Sequence, residues 1–142
     1  MSQDNLDKLG SLMNEIGGEG ARIVGGEPDG MLIYGEVEEG AVFAAVYKNE
    51  SEVVRYYDPT SDLADLLIEA WETGSSAPGM RWSAITYEVN GRAFHVDLTY
   101  PEQLKPGEDA SDRRQAALKK RYGNKAIVYP PIPDDMLELR RD

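Results

Sequence analysis

Residues 86–100 read TYEVNGRAFHVDLTY, two alternating apolar and polar runs joined by Asn90-Gly91. Few local sequences constrain a chain so strongly. Asn and Gly both tolerate the positive φ of a tight two-residue turn, and alternation with period two puts one side of each run on a buried sheet face. A turn made of Asn90-Gly91 sets Val89 opposite Arg92, Tyr87 opposite Phe94, Ile85 opposite Val96 and Ser83 opposite Leu98. That set forms the core face. The other face carries Glu88, Ala93, Thr86, His95, Ala84, Asp97, Trp82 and Thr99, so His95, the only histidine of the chain, points away from the core.

The same patterning runs on both sides of this hairpin. MLIYGEVE (31–38) and AVFAAVYK (41–48) are β-rich runs joined by a tight turn at Glu39-Gly40, and EVVRYY (52–57) follows after Asn49-Glu50-Ser51. Upstream, Leu6, Leu9, Met13 and Ile16 recur at helical spacing, and Gly17-Gly18 reads as the helix stop, with ARIV (21–24) as a first short strand. In DPTSDLADLLIEAWETG the period changes. Thr60 or Ser61 caps a helix whose stripe is Leu63, Leu66, Leu67, Ala70 and Trp71, and Gly74 ends it before the loop SSAPG. After the two-proline loop PEQLKPGEDA, Ser111 caps a sparsely apolar surface helix, DRRQAALKKRY. A short extended piece and a Pro-rich tail from about residue 128 close the chain. With 142 residues, the expectation is one α+β domain over 1–142. It has two layers, a mostly antiparallel sheet of about six strands with helices packed on one face. Its core comprises Leu9, Ile33, Phe43, Val46, Leu66, Leu67, Trp71, Ile85, Tyr87, Phe94, Val96 and Leu98.

Charge is distributed unevenly. The net charge is −11, and residues 1–71 hold 15 acids and 4 bases whereas residues 72–142 hold 11 of each. An acidic field disfavours phosphate backbones and anionic membranes and favours a basic protein partner. No nucleic-acid or membrane partner is expected, and the cations Arg113, Arg114, Lys119, Lys120, Arg121 and Lys125 lack the interleaved aromatics of a nucleic-acid platform. No apolar run approaches the roughly 18 residues of a membrane span. The polar, acidic N-terminus does not resemble a signal peptide, and there are no cysteines, so a cytoplasmic protein is the simplest expectation. The acids Glu36, Glu38 and Glu39 near the first turn, and Asp58, Asp62, Asp65 and Glu69 around the central helix, are the candidate partner-binding residues. Solvation alone is the alternative account of them.

Catalytic parts are scarce. His95 and Asp97 share a strand face, and Glu88 could add a third metal ligand, yet neither a second histidine nor a cysteine exists to complete a transition-metal shell. No nucleophile elbow and no Gly-rich phosphate loop is present. The paired acids Glu38-Glu39 and Asp134-Asp135 sit in polar turns. The expectation is a protein that is not an enzyme and has no catalytic residue, metal or cofactor, with His95 and Asp97 as a solvent-facing pair.

Trp82, Gly91, Phe94, Asp97, Tyr100 and the Arg113-Arg114 pair, together with YYDP at 56–59, carry a resemblance to the YezG-like antitoxin, or immunity, family over about residues 30–125. The resemblance implies a small α+β protein that neutralises a cognate bacterial toxin, typically a nuclease-type domain delivered between cells. It implies no particular binding residues, because the family's toxin-facing surface diverges. The expected function is thus a non-catalytic immunity protein whose partner is a basic toxin domain, bound through an acidic surface. The alternatives are an acidic adaptor or assembly subunit with a non-toxin partner, and a hydrolase or metal enzyme built on His95 and Asp97. Oligomeric state is not legible at this level.

Overall fold

The computed structural model describes residues 3–74 and 81–130. The SSAPG loop, Asp134-Asp135 and the Pro-rich tail beyond residue 130 lie outside the described residues. The elements follow as α1 (Gln3–Ile23), β1 (Met31–Glu38), β2 (Ala41–Glu50), β3 (Val53–Tyr57), α2 (Ser61–Thr73), β4 (Ala84–Asn90), β5 (Ala93–Thr99), a 3-10 turn at Pro101–Gln103, α3 (Ala110–Tyr122) and β6 (Ala126–Val128). The six strands form one sheet in the order β5-β4-β1-β2-β3-β6. All pairings are antiparallel except β3 with β6, which is parallel. The protein has the expected α+β fold.

β1 sits at the middle of this sheet, and its first five residues are all buried. Met31, Ile33 and Val37 face the main core with Val46, Ile85, Tyr87 and Val89, under Leu12, Met13 and Ile16 of α1 and Leu63, Leu67 and Trp71 of α2. Leu32 faces the other way, into a smaller cluster with Ala45, Tyr47, Val54 and Leu118 of α3. A strand apolar on both faces needs cover on both. The helices therefore do not all share one face: α1 and α2 form one layer, and α3 lies on the opposite side as a partial third.

The glycines at 17, 18 and 20 do not stop α1, and ARIV is its last turn rather than a strand. A Cβ on Gly17 would run into the Tyr87 hydroxyl, and one on Gly20 would meet Met31 Sδ at 2.8 Å and Ile33 Cδ1 at 2.9 Å. Small residues let the helix lie against the sheet here, and that packing outweighs their poor helix propensity. Tyr87 uses the close approach to donate a hydrogen bond to the Met13 carbonyl at 3.0 Å, while burial pushes its phenol up to about 12.

The second hairpin forms with a shifted register. Asn90 pairs with Ala93, Val89 with Phe94, Tyr87 with Val96 and Ile85 with Leu98, so the turn residues are Gly91 and Arg92. Two tertiary contacts hold Asn90 in the strand. Asp29 Oδ1 accepts the Gly91 N–H at 2.6 Å, and Arg121 Nη2 donates to Asn90 Oδ1 at 2.7 Å. Gly91 has φ 62° and Arg92 is not in the positive-φ region, the pattern of a II′ turn with glycine first. Because the shift is even, each side chain of β4 and β5 keeps its expected face, but Trp82, expected on the outer face, lies before β4 begins and packs into the main core instead. α2 is capped by the Thr60 hydroxyl, which accepts from the Leu63 N–H at 3.1 Å, and Gly74 ends it. α3 starts earlier than expected, capped by Asp109 in reciprocal contact with Asp112 rather than by Ser111.

Of the expected core, Ile33, Val46, Leu67, Trp71, Ile85 and Tyr87 are buried, and Leu9, Leu66, Val96 and Leu98 pack at its margin. Phe43 and Phe94 are corrections, at 38% and 43% exposed. Phe43 pairs with Glu36 and lies beneath the Arg114 guanidinium at 5.5 Å. Phe94 is on the outermost strand, stacked on Tyr87 at 5.1 Å.

Gly17 and Gly18 make opposite predictions from one helix. Gly17→Ala forces the Tyr87 ring away from Met13 and lowers stability by about 1–3 kcal/mol. Gly18→Ala meets nothing within 4 Å and raises stability by about 0.5–1 kcal/mol. Urea midpoints of the two variants check this.

Candidate partner-binding surface

Among the described residues, the helices divide the charge sharply. α1 and α2 together carry eight acids against two bases, and α3 carries one acid against five bases. The acidic side has a built shape. Glu15, Gly18 and Glu19 of α1 and Asp62, Asp65, Leu66 and Glu69 of α2 line an open groove of about 420 Å³. Asp62, Asp65 and Glu69 recur at three- and four-residue spacings on the flank of α2 that faces α1, because Leu63, Leu67, Ala70 and Trp71 occupy the buried side. All three are exposed.

Glu19 anchors the groove. Its carboxylate takes the Arg22 guanidinium at 3.0 and 2.6 Å and the Thr60 hydroxyl at 2.5 Å. Those hydrogen bonds, Arg22 first, hold the carboxyl below the usual range. Arg22 also approaches Asp62 at 3.8 Å, and Lys8 approaches Glu69 at 3.6 Å; these are surface pairs that water and salt screen. Asp65 has no ion-pair partner among the described residues. On the other flank of α2, a recess of about 310 Å³ is lined by Glu38, Glu39, Ile68, Trp71 and Glu72 among others. Arg81 reaches Glu39 at 3.6 Å and stacks over the Trp71 ring at 4.3 Å.

The seven candidate acids therefore do not form one patch. Asp62, Asp65 and Glu69 line the groove, and Glu38 and Glu39 line the recess beside the same helix. Asp58 turns to the other face, where it accepts a hydrogen bond from Tyr56, whose phenol is raised by burial and by that carboxylate. Glu36 is taken up inside the fold. Arg113 grips it with Nε at 2.8 Å and Nη2 at 2.9 Å, and the Tyr34 hydroxyl donates to the same carboxylate. Burial acts to raise the Glu36 carboxyl, yet the Arg113 and Tyr34 hydrogen bonds outweigh it and hold the group low. Glu15 and Glu19 escaped notice in the sequence because α1 was expected to end at Ile16. Glu15 lies within that expected helix and Glu19 beyond its end, and their i, i+4 spacing was the available signal that the helix continues.

The cations of α3 are largely engaged. Arg113 holds Glu36 and donates to the Glu108 carbonyl at 2.8 Å. Arg121 donates to the Val89 carbonyl at 3.0 Å, and Arg114 covers Phe43. Nearby, the Tyr122 hydroxyl donates to the Gly30 carbonyl at 2.8 Å, and Lys125 bonds Asn49. Lys119 and Lys120 remain exposed.

The residues carrying the family resemblance are mostly structural. Trp82 is buried and its carbonyl accepts the Trp71 indole N–H at 2.8 Å. Gly91 forms the turn, Tyr100 packs at the core margin, and Arg113 and Arg114 attach α3. Asp97 lies 3.1 Å from His95 Nε2, both side chains more than half exposed. Glu88 stands directly opposite His95. Among the described residues no three His, Asp or Glu side chains are grouped to hold a metal ion, and no helix is long and apolar enough to cross a membrane.

No protein-family model matches the chain, and no curated protein sequence matches it either.

Glu36 makes a pH-dependent contribution of determinate sign. Its carboxyl is held below its unfolded value of about 4.3, so the stabilisation is full above that pH and is lost as pH falls through the lower, folded value. Glu36→Gln should lower stability by about 1–3 kcal/mol at neutral pH. That deficit should shrink at an acidic pH, as pH falls through the lowered folded value and the wild-type carboxylate protonates. Denaturant titrations of both proteins at the two pH values test it.

Proposed function

We propose that this chain is a non-catalytic immunity protein that binds and neutralises a cognate toxin domain through the acidic surface of α1 and α2. The observation that carries the reading is the segregation of charge: acids line an open groove on one layer, whereas most cations of the opposite layer hold the fold together. The resemblance to the YezG-like immunity family, borne by Trp82, Gly91, Phe94, Asp97, Tyr100, Arg113 and Arg114, supports the same reading.

The mechanism follows from electrostatics. A nuclease presents a basic cleft to phosphate, and an acidic protein that enters this cleft competes with nucleic acid for the same cations. The groove of Glu15, Glu19, Asp62, Asp65 and Glu69 offers carboxylates at the edge of a rigid helix pair, so little side-chain ordering is required on binding. Glu38, Glu39 and Glu72 extend the field along the other flank of α2. The action is occlusion, and it takes place in the cytoplasm of the producing cell.

The test is inhibition of the toxin domain encoded beside this chain's gene. The triple substitution Asp62→Lys, Asp65→Lys and Glu69→Lys should weaken binding by about 100-fold. Lys119→Glu with Lys120→Glu should leave it within about threefold. Binding of the native protein should weaken between about 0.05 and 0.3 M salt. A toxin complex indifferent to the triple substitution would overturn the acidic-surface reading. A stoichiometric partner without toxic activity would favour an adaptor or assembly role instead.

A further inference from the structure

The outermost strand β5 has a backbone edge that nothing described covers, and its sequence is complementary to itself. Among the described residues it pairs only with β4. The residues flanking the two-residue turn, Asn90 and Ala93, form a hydrogen-bonded pair, and the antiparallel alternation then directs the backbone groups of Ala93, His95, Asp97 and Thr99 toward β4. The N–H and C=O groups of Phe94, Val96 and Leu98 consequently point outward. Natural sheet edges are blunted by proline, lysine, bulges or shortness. β6 at the opposite edge has only three residues, but β5 has seven, AFHVDLT, without proline, glycine or lysine.

We propose that two copies of this chain associate through β5, antiparallel about a two-fold axis at Val96, into one continuous twelve-stranded sheet. The outward groups of residues 94, 96 and 98 meet in the register that sets Val96 against Val96 and Phe94 against Leu98 of the second copy. Those are the hydrogen-bonded pairs. The intervening pairs, where side chains approach most closely, place His95 opposite Asp97 in both directions. The partly exposed Phe94 gains an apolar partner on the core-side face. On the outer face each His95, now 3.1 Å from Asp97 of its own strand, lies between two carboxylates. A register shifted by two residues would break these matches, so the strand's order of apolar residue, imidazole, apolar residue, carboxylate and apolar residue selects this one arrangement. The occupant of the edge is a second copy because the complementarity resides within a single strand.

Sedimentation velocity of the full chain alone, over roughly 1–100 µM, tests the proposal independently of any toxin, so its outcome does not bear on the immunity reading. The expected result is a concentration-dependent dimer. His95→Asp, which opposes two acids twice, should raise the dissociation constant about tenfold or more. The swap His95→Asp with Asp97→His should restore the native value. Circular dichroism verifies that these exposed-site variants remain folded. Ala93→Cys with Thr99→Cys should give a covalent dimer on oxidation, because positions 93 and 99 oppose each other only between copies. A monomer across the whole range, a dimer indifferent to His95→Asp, or a swap that fails to restore association would each overturn the proposal.

Discussion

The burial of β1 on both faces is the constraint from which the rest of the structure follows. Met31, Leu32, Ile33, Tyr34 and Gly35 are all buried at the centre of the sheet, so water must be kept from two sides. On one side the amphipathic α1 and α2 do this with ordinary apolar stripes, and α1 comes close enough only because Gly17 and Gly20 lack side chains. On the other side the available helix is poor in apolar residues. Of α3 only Leu118 is buried, with Tyr122 packed at the cluster's margin.

That deficit explains what the cations of α3 do. A helix that cannot be held by apolar area is held by directional contacts: the Arg113–Glu36 fork, the bonds of Arg121 to the end of β4, and the Tyr122 bond to Gly30. A paired, half-buried guanidinium suits this role because its planar donors satisfy a carboxylate and a carbonyl at once. The attachment also removes much of the positive charge, and one acid, from the pool available to a partner. The acids of α1 and α2 that are paired meet their partners at the surface, Glu19 with Arg22 and Thr60, Asp62 with Arg22 and Glu69 with Lys8. They stand on the solvent side of helices whose cores are already complete, so the molecule's negative field emerges from one layer.

The hairpin and the acids illustrate how far local pattern reaches. Alternation around Asn90-Gly91 assigned every side chain of β4 and β5 to its proper face, and His95 to the exposed one. The pairing itself differed because Asp29 and Arg121, distant in sequence, hold Gly91 and Asn90 in place. The stripe Asp62, Asp65, Glu69 was legible from helical spacing. That Glu15 and Glu19 complete it was not, since a glycine pair has the same local meaning whether a helix stops or packs tightly. Glu36 looked equivalent to Glu38 in the chain, and alternation puts both on the same face of β1, but Glu36 lies within reach of Arg113 whereas Glu38 is exposed at the strand's end.

Sequence alone determined most of the elements, their periodicity and the faces of the β4–β5 hairpin, because these depend on spacing within a few residues and on the cost of exposing apolar surface. It determined the acidic excess of the first half for the same reason: composition requires no fold. Only the tertiary structure decided which helix covers which face, which glycines are contacts, and which charges are consumed internally. Those outcomes depend on residues separated by tens of positions, such as Glu36 and Arg113 or Gly17 and Tyr87. Their meeting is set by the packing of the whole sheet, and no local pattern encodes it.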